Sequence, residues 1–405
     1  MRARGLKWVS HVPSTLIRRR HFAQEASRGK VAVAMSGGID SSAAAFLLKE
    51  QGYDCVGVFM SNWDSTDEVG SGDWCTISQD KKDAQEVCDR LDIPMVEVEF
   101  MKEYWNDVFV PFLESYQSGI ETPNPDVYCN RHIKFDAFLK YAMDTVGADY
   151  MATGHYARVS PTHGLMRGID DNKDQSYFLS LVQKEKLDRV LFPLGEYKKD
   201  EVRDLVKDPL RGLAVVKKRE SMGVCFIGKR KFRDFLGQYI DLTPGRFVDA
   251  ESGAILGEHE GAELYTTGQG ARIGGTQDKY FVVTRHQPPA QSSIEYGLRH
   301  GDLFVVKNTD HPLLYSMSIT MPASALSWVI GSPPRSLVEE GSLQCQCKTR
   351  YRQALTSCTV HLRRDADEVE VIFDHQQRAV TIGQVIVFYE NDVCLGGGII
   401  SVTSY

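Results

Sequence analysis

From residue 30 to about 155 the chain alternates short apolar runs with amphipathic stretches. The runs at 31–35, 54–60, 95–99 and 149–153 have the length and composition of buried strands. The stretches 42–51, 78–91, 101–117 and 133–146 repeat apolar residues at helical spacing. Ala44, Leu47 and Leu48 mark one inner face, Ala84, Val87, Cys88 and Leu91 the next, and Phe138, Tyr141, Ala142 and Thr145 the last. This rhythm predicts an α/β parallel sheet covered on both sides. Ligands of such sheets bind at the carboxyl ends of the strands. Segment 36–42 and segment Thr153-Gly154-His155-Tyr156 both begin where a strand should end, so they are expected to share one crevice.

Residues 155–235 read as helical and increasingly basic, with twelve Lys/Arg against six Asp/Glu between Glu196 and Arg233. After Leu242, Gly and Pro punctuate short β-type runs at 281–284 and 303–307. Clear strands are expected at 344–349, 358–362, 369–373, 385–389 and 398–402, which together predict a small β-barrel. The expected organisation is a leader over 1–28, a nucleotide-binding catalytic domain with a basic helical extension over 29–235, a central β-rich linking module over 236–305, and a C-terminal β-barrel over 306–405.

Charge changes this picture at one end. The 405 residues carry a formal net charge of −7, which advertises no global affinity for nucleic acid. Residues 1–30 nevertheless hold eight basic residues and one acid, Glu25, interspersed with Trp8, Val9, Leu16, Ile17 and Phe22. Such an Arg-rich, acid-poor start is expected to be a mitochondrial transit peptide, which would place the protein in the matrix; a basic arm touching RNA is the plainer alternative. No run approaches the roughly 20 apolar residues that cross a bilayer. Nine cysteines without a CxxC pair argue against a zinc ribbon and suit a reducing compartment. Cys88, Cys345, Cys347 and Cys358 fall on apolar faces and Cys55 in an apolar run; Cys75, Cys129, Cys225 and Cys394 lie in loop-like sequence.

Three stretches carry chemistry. MSGGIDSS (35–42) is a Ser/Gly turn between strand and helix, where free N–H groups and the helix dipole favour phosphate oxygens. It lacks the Lys-Ser/Thr ending of a Walker A loop and carries Asp40, which can hold magnesium against a polyphosphate. It resembles the pyrophosphate loop of enzymes that split ATP into AMP and pyrophosphate. The second stretch, TPNPDVYCNR (122–131), has two prolines that stiffen a loop presenting Asp126 and Cys129; Arg131, His132 and Lys134 supply charge that lowers a thiol pKa. The third, KKRESMGVCFIG (217–228), again sets a cysteine, Cys225, after a basic cluster. An adenylating loop, two reactive thiols and a basic patch together specify activation of a carbonyl oxygen, attack by sulfur, and a polyanionic acceptor. Uridine in RNA meets all three conditions.

The blocks SGGIDSS, TPNPDVYCNRHIKF, ATGHYAR, NKDQSYFL, CFIG, KTRYRQ and CLGGGI, in this order from about 30 to 403, resemble the tRNA-specific 2-thiouridylase family, and the basic N-terminus points to its mitochondrial branch. The resemblance implies ATP-dependent 2-thiolation of the wobble uridine of tRNAs for Lys, Glu and Gln, read at the anticodon stem-loop. It implies ATP contacts from Ala34, Met35, Ser36, Gly37, Gly38, Ile39, Asp40, Ser41, Met60 and Gly154. Asn124, Pro125 and Asp126 would meet the target base, Cys129 would be the nucleophile, and Cys225 would carry a persulfide loaded by a cysteine desulfurase or sulfur-relay protein. His155, Lys173, Asp174, Gln175, Arg350, Tyr351 and Gln384 would contact tRNA, with Tyr351 flanked by guanidiniums suited to stacking on a base. Asp126 is placed to act as general acid or base. Two departures stand out: Ile382 where the family usually has proline, and Gly268-Gln269-Gly270-Ala271 in place of a more basic segment. Other readings are a different pyrophosphate-loop enzyme, such as a GMP or lysidine synthetase, and a non-catalytic tRNA-binding protein. A third alters only the mechanism: Asp126, Cys129 and Cys225 holding an iron–sulfur cluster.

Overall fold

The structure is a computed structural model that describes residues 28–63, 77–118, 122–218, 226–227, 230–285 and 299–404. Its first sheet contains β1 (Lys30–Met35), β2 (Asp54–Ser61), β3 (Met95–Glu99) and β4 (Tyr150–Ala152). A hairpin follows, β5 (Ala157–Ser160) and β6 (Gly164–Arg167), and then β7 (Val190–Leu191) completes the sheet. The strand order is β3-β2-β1-β4-β7, all parallel. Val31, Ala32 and Val33 are buried on both faces of β1, as a central parallel strand requires, whereas β3 at the edge is largely exposed. Helices α1 (Ile39–Glu50) and α2 (Ile77–Leu91) follow the first two strands.

Two long helices differ from the periodicity. α3, over 101–117, contains a π-helical segment at Trp105–Phe109. α4 runs over 125–144, with a kink at Phe135, and starts eight residues before the expected 133. Its first helical residue is Pro125: a proline at that position needs no N–H partner and has the right φ, so it initiates the helix that it was expected to prevent. The segment expected to be a rigid loop is thus the first two turns of a helix. Nor are residues 155–235 all helical. The β5–β6 hairpin leaves the first sheet's neighbourhood and pairs, through β6, with a strand of the C-terminal sheet.

The central module is a five-stranded sheet of β8 (Gly245–Asp249), β9 (Ile255–His259), β10 (Gly270–Ala271), β11 (Tyr280–Arg285) and β12 (Leu303–Lys307), in the order β10-β11-β12-β8-β9. The C-terminal sheet comprises β13 (Tyr315–Pro322), β14 (Leu326–Trp328), β15 (Ser342–Lys348), β16 (Thr356–Arg363), β17 (Glu368–Arg378), β18 (Val385–Glu390), β19 (Val393–Ile399) and β20 (Val402–Ser404). With the hairpin it forms ten strands, ordered β20-β13-β17-β16-β15-β18-β19-β6-β5, with β14 on β19. The run expected as one strand at 398–402 is split: β19 ends at Ile399, buried Ile400 turns the chain, and β20 begins at Val402. Cys394, expected in a loop, is buried within β19, where desolvation raises its thiol pKa.

Candidate functional site

The strand order places a topological switch between β1 and β4: the chain leaves β1 towards β2 and β3 on one side, and β4 and β7 lie on the other. Loops from the carboxyl ends of β1 and β4 therefore diverge and leave a crevice. Segment 36–38 and segment 153–156 form its two lips. Ser36 is exposed at the rim; its N–H and hydroxyl meet the Ser41 hydroxyl at 3.2 and 3.1 Å. The Ser41 and Ser42 hydroxyls donate to the Gly38 carbonyl at 3.0 and 2.8 Å, which shapes the turn into the start of α1. Gly37 has φ +68°, and a Cβ there would lie 2.1 Å from the Asp80 carbonyl oxygen of α2. Gly154 presses on the start of α1: a Cβ would lie 2.7 Å from the Asp40 carbonyl carbon. The loop keeps its shape because glycine alone lets α2 and β4 approach so closely.

Asp40 is the hub of the crevice. One carboxylate oxygen accepts from the Lys199 ammonium at 2.6 Å and from the Tyr156 hydroxyl at 2.8 Å. Lys199 opens α5 (Lys199–Lys207) and is buried, its ammonium also 5.6 Å from the centre of the Tyr156 ring. Lys218 donates to the Gly37 carbonyl at 2.9 Å and pairs with Asp80 and Asp83, whose hydrogen bonds raise its pKa against the effect of burial. These two cations beside the phosphate loop were not singled out in the sequence. For magnesium the start of α1 offers the Asp40 carboxylate, Asp80 and Asp83 being tied to Lys218, and no group of three or more His, Cys, Asp or Glu is poised for a metal among the described residues. One carboxylate suits an ion that takes its other ligands from phosphates and water. The iron–sulfur alternative needs Cys225, which lies outside the described residues, as do Cys75 and residues 1–27 of the expected leader.

Asp126 and Cys129 stand three residues apart in α4, and Cys129 begins a π-helical segment, Cys129–Ala137, a distortion common at functional sites. Asp126 is exposed, on the first turn of α4. Desolvation pushes its carboxyl above the ordinary value, and Lys134 pulls the other way. Asn124 precedes the helix and is half-buried; Pro125 and Cys129 are buried. Burial, and then Arg131, lower the His132 pKa, which takes this residue from the positive charge expected around Cys129. The Asn130 amide donates to the Phe178 carbonyl at 3.2 Å, and its buried oxygen has no partner among the described residues.

The expected RNA contacts are placed unevenly. His155 is buried, with its Nδ1 2.7 Å from the Thr153 hydroxyl and its ring against Phe135 and Phe192; desolvation holds its pKa well below the ordinary value. Asp174 is also buried: it accepts from the Gly168 and Ser176 N–H groups at 3.1 Å and meets Arg167 and Lys348. These two side chains face protein rather than solvent. Lys173 and Gln175 are half-buried, and Gln175 accepts from the Tyr156 N–H. Arg350 and Tyr351 lie in a turn after β15, not on a strand. Arg350 donates to the Arg378 and Ala379 carbonyls, while the Tyr351 ring packs 4.4 Å from Phe178. The Gln384 amide donates to the Thr122 carbonyl at 2.7 Å, and Thr122 N–H donates to the Ile382 carbonyl at 3.0 Å, so the barrel holds the start of the Asp126 segment. In the central module, Gly268 abuts Ala379 of the barrel.

One contiguous apolar cluster underlies these parts. It contains Ala34, Val127, Cys129 and Phe226, and Met60 and Tyr351 pack against it. Phe226, the residue after Cys225, is buried among Phe112, Phe109, Phe235, Trp63 and Tyr104, with ring centres 5.2, 5.4, 5.4, 5.7 and 6.0 Å away.

A pyrophosphate-type loop at the switch point of a parallel sheet defines a nucleotide-binding HUP domain, and the matches to family models agree. Residues 29–229 match the tRNA methyl transferase HUP domain, 233–289 the tRNA methyl transferase PRC-barrel domain, and 318–400 the aminomethyltransferase beta-barrel domain. The chain is 46% identical over 376 residues to a tRNA-specific 2-thiouridylase MnmA of Bacillus velezensis, covering 92% of this chain and 94% of the relative. The MnmA of Salmonella typhimurium is also 46% identical, over 380 residues, covering 92% and 96%. The chain belongs to the tRNA-specific 2-thiouridylase MnmA family and is, with it, a tRNA sulfurtransferase. Among solved structures, a 4-thiouridine synthetase–RNA complex with bound ATP overlaps 52% of this chain and 50% of its own, at 19% identity and a TM-score of 0.32. An NMN synthetase from Francisella tularensis overlaps 52% and 73%, at 18% identity and a TM-score of 0.31.

Proposed function

We propose that this enzyme 2-thiolates the wobble uridine of mitochondrial tRNAs for Lys, Glu and Gln, in the matrix, using ATP. The observation that carries the reading is the apolar cluster joining Ala34 of the phosphate-loop strand, Cys129, and the residue next to Cys225. Backbone N–H groups of 36–41 cradle the pyrophosphate, and Lys199 and Lys218 balance its charge. Asp40 would be the residue to hold a magnesium ion, which would supply charge neutralisation for the leaving pyrophosphate.

The uridine O2 attacks the α-phosphorus of ATP, pyrophosphate leaves, and C2 now carries AMP as a leaving group. Sulfur from the Cys225 persulfide adds at C2 and AMP departs. Attack by Cys129 on the inner sulfur of the persulfide breaks the S–S bond, leaving a Cys129–Cys225 disulfide for an external dithiol to reduce. Asp126, with its raised pKa, exchanges a proton with the base. A cysteine desulfurase or a sulfur-relay protein supplies the persulfide, and the anticodon stem-loop is the part of tRNA that enters.

The test is nucleoside mass spectrometry of mitochondrial tRNA from cells lacking the protein, restored with wild type, Cys129→Ser or Cys225→Ser. The expected result is loss of 2-thiouridine derivatives that only the wild type restores. Retention of every 2-thiouridine derivative in the null cells refutes the proposal. Full rescue by both serine variants refutes the thiol mechanism and returns the reading to a different pyrophosphate-loop enzyme.

A further inference from the structure

The barrel carries thiols that the thiolation chemistry does not use. Cys345 on β15 and Cys358 on β16 are direct cross-strand partners. Their sulfurs lie 3.7 Å apart. Cys347, two residues along β15, faces the same side of the sheet and is paired with Thr356 instead. Opposed residues on antiparallel strands have Cα atoms about 4.5–5.5 Å apart. That lies within the roughly 4.4–6.8 Å that a disulfide spans, so bond formation asks for side-chain rotation and little from the backbone. Access differs among the three. Cys345 is partly buried against the barrel core, while Cys347 and Cys358 are fully buried.

We propose that Cys345 and Cys358 are an oxidation site of the barrel, a cross-strand dithiol that a peroxide converts into an intramolecular disulfide while Cys347 stays a thiol. The Cys345 sulfur, the less buried of the pair, takes one oxygen from the peroxide and becomes a sulfenic acid, with release of water. The Cys358 sulfur then attacks the Cys345 sulfur, the S–S bond forms, and hydroxide leaves to collect the Cys358 proton as a second water. Two thiols lose two hydrogens and two electrons, and hydrogen peroxide becomes two waters. Cys358 suits the attacking role because its sulfur already stands against that of Cys345, a contact that favours its thiolate against the opposing effect of burial. The same contact with Cys358, and then burial, raise the Cys345 pKa. The first step is therefore slower than at an exposed thiolate.

The experiment uses the full chain with Cys129→Ser and Cys225→Ser, so that the catalytic thiols cannot compete, and repeats the measurement on unmutated protein to guard against misfolding. Reduced protein is treated with hydrogen peroxide, its remaining thiols are alkylated, and its peptides are mapped by mass spectrometry. The expected product joins the peptides of Cys345 and Cys358, is lighter by two hydrogens, and separates with dithiothreitol. Cys345→Ser and Cys358→Ser each abolish it, and Cys347→Ser leaves it intact. Full alkylation of both residues after peroxide overturns the proposal, as does a link from Cys358 to Cys347 or between two molecules.

Discussion

Gly37 and Gly52 both adopt left-handed backbone, at φ +68° and +86°, but nothing lies within 4 Å of a Cβ at Gly52, whereas one at Gly37 would meet the Asp80 carbonyl. Alanine at Gly52 is therefore expected to cost only the strain of that conformation, about 1–2 kcal/mol. Alanine at Gly37 adds a clash with the backbone of α2 and should abolish nucleotide binding. Thermal unfolding and ATP-binding titration of the two variants separate strain from contact; equal effects would refute the reading. His155 gives a second prediction at this scale. Its folded pKa lies well below the ordinary value, so below about pH 6.5 the unfolded chain binds a proton that the folded chain refuses. Its stabilising effect is complete above that pH and is lost on acidification. His155→Gln should remove up to about 1.4 kcal/mol per pH unit from the slope of stability between pH 6.5 and 5, measured by urea unfolding.

At the scale of elements, α4 sets Asp126, Cys129 and Lys134 on one rigid support. Lys134 lowers the pKa of both Asp126 and His155. Lys134→Met should move the acid limb of the thiolation pH–rate profile to higher pH, and an unmoved limb would count against Asp126 in proton transfer. The support is itself fastened to the barrel through Thr122. Gln384→Ala removes one hydrogen bond, worth about 1 kcal/mol, and should slow single-turnover thiolation roughly tenfold or less while leaving the unfolding midpoint nearly unchanged. Much of this level was legible in the chain. The apolar runs of β1 and β2 and the glycine turn at 36–38 are local signals, and local signals survive in a sequence. Tyr156 lies in the segment expected at the crevice and does meet Asp40, whereas Lys199 is 159 residues from Asp40, and an isolated lysine carries no mark of such a pairing. The start of α4 was misread for a different reason: proline forbids the inside of a helix and favours its first turn, and only the fold says which applies.

At the scale of the whole molecule, the catalytic domain and barrel meet through a buried charge. Lys348 of β15 lies 3.7 Å from Asp174, which also holds Arg167 and two backbone N–H groups. Burial lowers the Lys348 pKa and Asp174 opposes the shift. Asp174→Ala leaves the buried Lys348 ammonium without its anion, while Arg167 keeps Asp171 and Asp392, and should cost about 3–5 kcal/mol in urea unfolding. Lys348→Met keeps the apolar stem and leaves Arg167 to Asp174, so its cost should be clearly smaller; the reverse ranking would refute this account.

The hairpin of β5 and β6 belongs by chain position to the nucleotide-binding half and by hydrogen bonding to the barrel. The two halves are therefore stitched across the boundary that their separate family matches draw. A catalytic half expressed alone would carry an unpaired ribbon edge on β6, and an isolated barrel would expose β19 where that ribbon belongs. Splitting this enzyme into independently soluble pieces should fail at that seam, unless the hairpin travels with the barrel.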